Sequence, residues 1–181
     1  MNELLKTREN IYKYFTNNSK CEDVFLVNEQ RLSSYYNSML LIQDTSLAVL
    51  NHREKGFSQQ LHIEFWGLMQ AIVIQQDSIQ ELHFAVTESK LDTKNILAWQ
   101  KIRSFRNKCA GHPSKKDRPN SEPTTKVVFS GHINYTYFSY EEWTKDGVTH
   151  PTINLGELID SYAIEANKKL IEIFNQLKQI G

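Results

Sequence analysis

The sequence predicts a mainly helical bundle of about five helices, with a β-hairpin inserted before the last one. Three observations carry this. Over residues 61–86, Leu61, Phe65, Leu68, Ile72, Ile79, Leu82 and Val86 recur at helical intervals. The segment KVVFSGHINYTYFSYEEW, residues 126–143, abandons that period and is rich in β-branched and aromatic residues around SGHIN. After it, the helical period returns behind a start signal, Asn154 with Glu157 three residues later. With 181 residues, 40% apolar and 23% charged, the chain fits one domain, 1–181, able to build a core.

Each element has its own justification. Residues 2–16 read as a short helix with Leu5, Ile11 and Phe15 on one side. TNNSKCEDVFLVNEQ, residues 16–30, reads as a connection, and Asn28 in it is placed to cap the next helix. In that long helix the expected apolar face is Leu32, Tyr36, Met39, Leu40, Leu47 and Leu50. Gly56 supplies its stop, and Ser58 is expected to cap the helix over 61–86. Gln75 is the one polar break in that helix's apolar stripe.

Asp92 or Thr93 is expected to start a fourth helix that buries Ala98, Ile102, Phe105 and Cys109. Gly111 and Pro113 should end it. Residues 113–125, PSKKDRPNSEPTT, hold three prolines and no large apolar side chain, and read as a mobile loop. The final helix should line Leu158, Tyr162, Ala166, Leu170, Ile173 and Leu177 along one face.

The formal net charge is zero, so any attraction for a polyanion must come from a local patch. Cys21 and Cys109 stand outside any CxxC pattern, which speaks against a disulfide scaffold or zinc site and suits a reducing compartment. No secretory signal or membrane-length apolar run is present, so the expected location is cytoplasmic. His62 and Glu64 form an HxE, but the PCxxC partner that a zinc deaminase requires is missing.

The run IRSFRNKCAGHPSKK, residues 102–116, concentrates the chemistry. Lys101, Arg103, Arg106, Lys108, Lys115, Lys116 and Arg118 face only Asp117 within 101–118, a local footprint for a polyanion. Arg106 lies one turn after Ile102, at the margin of the buried stripe, and His112 lies just past the expected helix end. Histidine titrates near neutrality and can take a proton from a ribose 2′-OH or give one to a leaving 5′-oxygen. Arginine presents a fixed fork of donors to charge growing on phosphate oxygens. One such pair cannot supply both an acid and a base, whereas two pairs across a symmetric dimer can. The plainer alternative is a helix-end arginine paired with a carboxylate, and a histidine satisfying terminal carbonyls.

RNKCAGH, on the last turn of a helix in an all-helical chain, resembles the HEPN superfamily. That family's motif is an arginine, four to six residues, then a histidine, commonly with a polar residue directly after the arginine. Asn107 holds that place here. The resemblance implies a HEPN-like fold and a homodimer whose two copies of Arg106 and His112 line one cleft. It implies metal-independent RNA cleavage without a cofactor, leaving a 2′,3′-cyclic phosphate and a 5′-hydroxyl. Arg106, His112 and Asn107 would be catalytic, while Arg103, Lys108, Lys115 and Lys116 would hold RNA. The family serves in toxin–antitoxin and antiphage defence, so an antitoxin or other defence-system protein is an implied partner. Some members carry a tyrosine two residues after the histidine that a partner nucleotidyltransferase modifies; here that residue is Ser114. Other members have lost catalysis and only bind a nucleotide, RNA or protein.

Gln75 and Asp77 are possible supporting residues, although the simpler account of Gln75 is a buried amide satisfied by its surroundings. The aromatic residues Phe129, Tyr135, Tyr137, Phe138, Tyr140 and Trp143 are expected mainly to pack, with base stacking as the alternative.

Overall fold

Two long apolar-striped segments joined by a short glycine-containing turn can bury their stripes only against each other, and this pair forms the centre of the protein. A computed structural model describes residues 1–110, 134–144 and 147–180. Among these it contains six α-helices and two small antiparallel sheets, a mainly helical fold as the sequence predicts.

Helix α1 (Asn2–Thr16) turns Leu4, Arg8, Ile11 and Phe15 inward. Residues read as a connection contain a further helix, α2 (Ser19–Leu26), whose first turn is capped by the Asn18 side chain accepting from the Cys21 amide. It is short because only Cys21 and Phe25 give it a buried side. Asn28 then caps α3 (Glu29–Lys55), accepting from the Arg31 amide at 3.2 Å. Gly56 ends α3 with φ of +74°, a conformation that glycine adopts without steric cost.

The expected apolar face of α3 is corrected. Tyr35, Ser38, Met39, Ile42, Thr45, Ser46 and Val49 are buried, whereas Leu40 and Leu47 are 56% and 42% exposed. The buried face carries its own apolar stripe, Tyr35, Met39, Ile42 and Val49, and its Thr45 and Ser46 meet a glutamine of α4 (Leu61–Thr87). Helix α4 buries the predicted Phe65, Leu68, Ile72, Ile79, Leu82 and Val86, with Leu61 at the margin. Its N-cap is Gln60 rather than Ser58. Ser58 instead accepts from the Gln60 amide, and its own N–H and hydroxyl donate to the Glu64 carboxylate.

Helix α5 starts at Leu97 and ends at Ala110, later than expected at its start, because Asp92 accepts from the Lys94 amide and ties residues 92–96 into turns. Ala98, Ile102, Phe105 and Cys109 are buried as predicted, together with Trp99. The expected loop 113–125 lies outside the described residues.

Of the predicted hairpin 126–143, only the part from 134 on is described; residues 126–133, which hold its first strand and most of SGHIN, lie outside the described residues. β1 (Phe138–Ser139) pairs with β4 (Thr152–Ile153), Phe138 opposite Ile153. Between them β2 (Glu142–Thr144) pairs with β3 (Gly147–Thr149), Trp143 opposite Val148. Gly147, at φ +122°, supplies backbone that other residues rarely adopt at this reversal. Asn154 then caps α6 (Leu155–Ile180), accepting from the Glu157 amide at 3.0 Å. Helix α6 buries Tyr162, Ala166, Leu170, Ile173 and Leu177 against α1, α4 and α5.

Two aromatic clusters lock these elements. Phe15 stacks on Tyr35 at 4.0 Å between ring centroids, with Phe25 edge-on to both. Phe65, Phe105 and Phe138 form the second, tying α4, α5 and β1 together. Phe138 and Tyr140 are buried, which gives this part of the aromatic segment a packing role.

Candidate functional site

The second aromatic cluster fixes the direction of the basic end of α5. With Ile102, Phe105 and Cys109 turned into the core, Arg106 emerges at the boundary between α5 and α4. Its guanidinium donates from Nη2 to Oε1 of Gln70 on α4 at 2.8 Å, and from Nη1 to Oδ1 of Asn107 at 3.1 Å. Nε is buried and has no hydrogen-bond partner among the described residues. Both acceptors are neutral amides, and among the described residues no carboxylate pairs with Arg106. The described residues therefore orient its charge without neutralising it, which is the condition for receiving an anion.

The neighbouring cations differ. Arg103, expected to contact RNA, donates from Nε to Gln76 at 2.7 Å and forms an ion pair with Asp77. Gln76 is fully buried, so Arg103 is drawn toward the helix packing rather than left free. Lys108 is 2.9 Å from Glu142 on β2, and this hydrogen bond raises its pKa above the ordinary lysine value. The basic strip read from the sequence is thus trimmed by two ion pairs. His112, Lys115 and Lys116 lie outside the described residues.

Gln75 is wholly buried, and its amide nitrogen donates to Thr45 at 3.1 Å and Ser46 at 2.7 Å. Its carbonyl accepts from the Tyr162 hydroxyl at 2.9 Å. The hydroxyls of Thr45 and Ser46 donate in turn to the carbonyls of Leu41 and Ile42. Every polar atom of the Gln75 amide has work in joining α3, α4 and α6, so the simpler reading describes it. Asp77 faces the surface and serves Arg103. The structure therefore brings Arg106 and Asn107 together, and separates both from Gln75.

Sequence reasoning missed Gln70. It lies on the exposed side of α4, and its partner is 36 residues away, so no local signal marks it. It also missed a polar group at the far end of α3, where His52 Nδ1 meets the Tyr135 hydroxyl at 2.5 Å. Nε2 of the same ring lies 3.9 Å from the Glu64 carboxylate. Burial holds the His52 pKa below its usual value, against the pull of Glu64, and pushes the Tyr135 phenol up to about 12.

Cys21 and Cys109 are free and buried, and burial raises the Cys109 thiol to about 12, so it stays protonated at neutral pH. Among the described residues no group of three His, Cys, Asp or Glu side chains is arranged to hold a metal ion, and no helix is long and apolar enough to cross a membrane.

Comparison with protein-family models, with curated proteins and with solved structures returned no significant match to this chain.

Proposed function

We propose that this chain is a dimeric, metal-independent endoribonuclease of HEPN type, acting in a toxin–antitoxin or antiphage setting. The observation that carries the reading is the Arg106 guanidinium, held at a surface helix boundary by two neutral amides with no carboxylate against it among the described residues. The plainer alternative calls for an ion pair at this position, and the described residues supply none. Burying part of an arginine without neutralising it costs free energy, and a phosphate on the same fork recovers that cost.

In the reaction, a ribose 2′-oxygen attacks the adjacent phosphorus while the 5′-oxygen of the next nucleotide leaves. One His112 takes the 2′-OH proton, and the His112 of the other subunit gives a proton to the leaving oxygen. The two Arg106 side chains stabilise the extra charge on the phosphate oxygens, and Asn107 and Gln70 hold them in place. The products are a 2′,3′-cyclic phosphate and a 5′-hydroxyl, with no net change in protons.

A second reading is a binding module without catalysis. The pairing of Arg103 with Asp77 and of Lys108 with Glu142 favours it, since fewer free cations remain to hold a long polyanion. Purified protein incubated with total RNA and a chelator separates the two. Wild type should cleave, whereas Arg106→Ala and His112→Ala should lose at least about a hundredfold in rate with unchanged helical content. Cleavage by His112→Ala at the wild-type rate sinks the ribonuclease reading. Salt-dependent RNA affinity without cleavage by wild type establishes the binding module instead.

A further inference from the structure

We infer that the outer face of α4 beside Arg106 seats one unpaired base of single-stranded RNA, with Trp66 as its stacking platform. This rests on the ribonuclease reading and names the form of RNA that the site takes. Trp66 lies one helical turn before Gln70 on the same face, and Gln70 holds Arg106. An indole, an amide and an unneutralised guanidinium therefore follow one another along the surface. A nucleotide has the matching order of groups, an aromatic base and then a charged phosphate.

Trp66 is 48% exposed, and Ile63 one turn earlier is 66% exposed. Such residues are usually turned into a core, and the α4 residues on either side, Phe65, Leu68 and Met69, are. Gly67 lies between Ile63, Trp66 and Gln70 on this face, in the first half of a 27-residue helix. Glycine weakens a helix interior, and it is tolerated where something must approach closely. Nothing in the fold makes that approach, since a Cβ at Gly67 would meet no atom within 4 Å. The space at Gly67 is open, and the one ring given beside Trp66 is His62, edge-on with centroids 6.2 Å apart.

The polar side of this surface favours a nucleotide over an apolar protein segment. Gln70 spends its carbonyl oxygen on Arg106, and its amide nitrogen makes no hydrogen bond among the described residues. That nitrogen can donate to a phosphate oxygen or a base edge. A wholly apolar segment seated here would leave it, and the Arg106 charge, without water and without partners. A duplex keeps its bases inside its own stack, so an aromatic platform selects single strands.

The test uses the full chain and a 2′-O-methyl RNA oligonucleotide, which has no free 2′-OH and remains intact. Wild-type tryptophan fluorescence should be quenched on binding the single strand, and a duplex of the same sequence should bind more weakly. Trp66→Ala should lose at least about fivefold in affinity, the lower end of one base–aromatic stack, while Trp66→Phe keeps most of it. Thermal unfolding of both variants confirms that the fold is intact. The inference is overturned if Trp66→Ala binds as tightly as wild type, or if wild type binds no single-stranded RNA. It is also overturned if wild type is a dimer and Trp66→Ala is a monomer, which would make this face a seam between copies. Loss of cleavage in Arg106→Ala alongside undiminished affinity in Trp66→Ala removes only the base seat. Undiminished cleavage in Arg106→Ala removes the ribonuclease reading itself.

Discussion

At the scale of single residues, two polar side chains have opposite fates. Gln75 is surrounded by groups that complete its hydrogen bonds, whereas the described residues hold Arg106 and leave it its charge. The first arrangement is what stability requires, and the second is what ligand binding requires. Replacing Gln75 with Leu would keep its approximate volume but strand the Tyr162 hydroxyl in the core. The expected cost is about 1–3 kcal/mol, read as a lower urea midpoint with an unchanged slope. A supporting catalytic role for Gln75 would instead lower the cleavage rate under conditions where the variant is fully folded, and no such loss is expected.

At the scale of elements, the ends of the long helices decide how the bundle closes. Helix α4 ends at Glu88 in the left-handed conformation, with the Glu88 amide donating to the Phe84 carbonyl at 2.8 Å. Its last carbonyls are met by Arg31 at the start of α3, which donates from Nε to Ala85 and from Nη2 to Val86. The same guanidinium lies 4.4 Å from the centre of the Phe25 ring, so one side chain ties α2, α3 and α4 together. A cation at a helix C-terminus also opposes the negative end of the helix dipole. Arg31→Met keeps the aliphatic stem and removes the donors, and roughly 2 kcal/mol of stability should be lost. Glu88→Ala, which removes only the exposed partner at 2.7 Å, should cost at most about 0.5 kcal/mol. Thermal denaturation of the two variants side by side checks the contrast.

At the scale of the whole molecule, His52 links the end of α3 to the segment that leads into β1, and makes the fold sensitive to acid. The Tyr135 phenol remains protonated at neutral pH and can donate to Nδ1, leaving the ring proton on Nε2, toward Glu64. The Tyr135 carbonyl also accepts from the Gly156 amide at the start of α6. Because burial lowers the folded-state pKa of His52, the unfolded chain takes up the proton first as pH falls through about 6.5. Stability should therefore be undiminished by this group above that value. It should decline as pH drops toward the depressed folded pKa, below which the loss is complete. The urea midpoint of wild type should fall between pH 7 and pH 5, with a shallower fall in His52→Gln. Parallel curves for the two proteins would remove His52 as the cause.

The sequence by itself determined what depends on neighbours a few residues apart. The long helices, the caps at Asn28 and Asn154, the stop at Gly56 and the buried side of α5 follow from helical spacing and local hydrogen bonding. Some departures are themselves local, such as α2 within the expected connection and the late start of α5, and others come from partners far along the chain. In α3 two apolar stripes compete, and the packed fold buries Tyr35, Met39, Ile42 and Val49, with Thr45 and Ser46 meeting Gln75, while Leu40 and Leu47 face outward. The state of the basic run was likewise decided by tertiary structure. Arg103 meets Asp77 across 26 residues, Lys108 meets Glu142 across 34, and Arg106 meets Gln70 across 36. Which cations are neutralised and which stay free is a question of pairing at a distance, and only the packed fold brings those partners within reach.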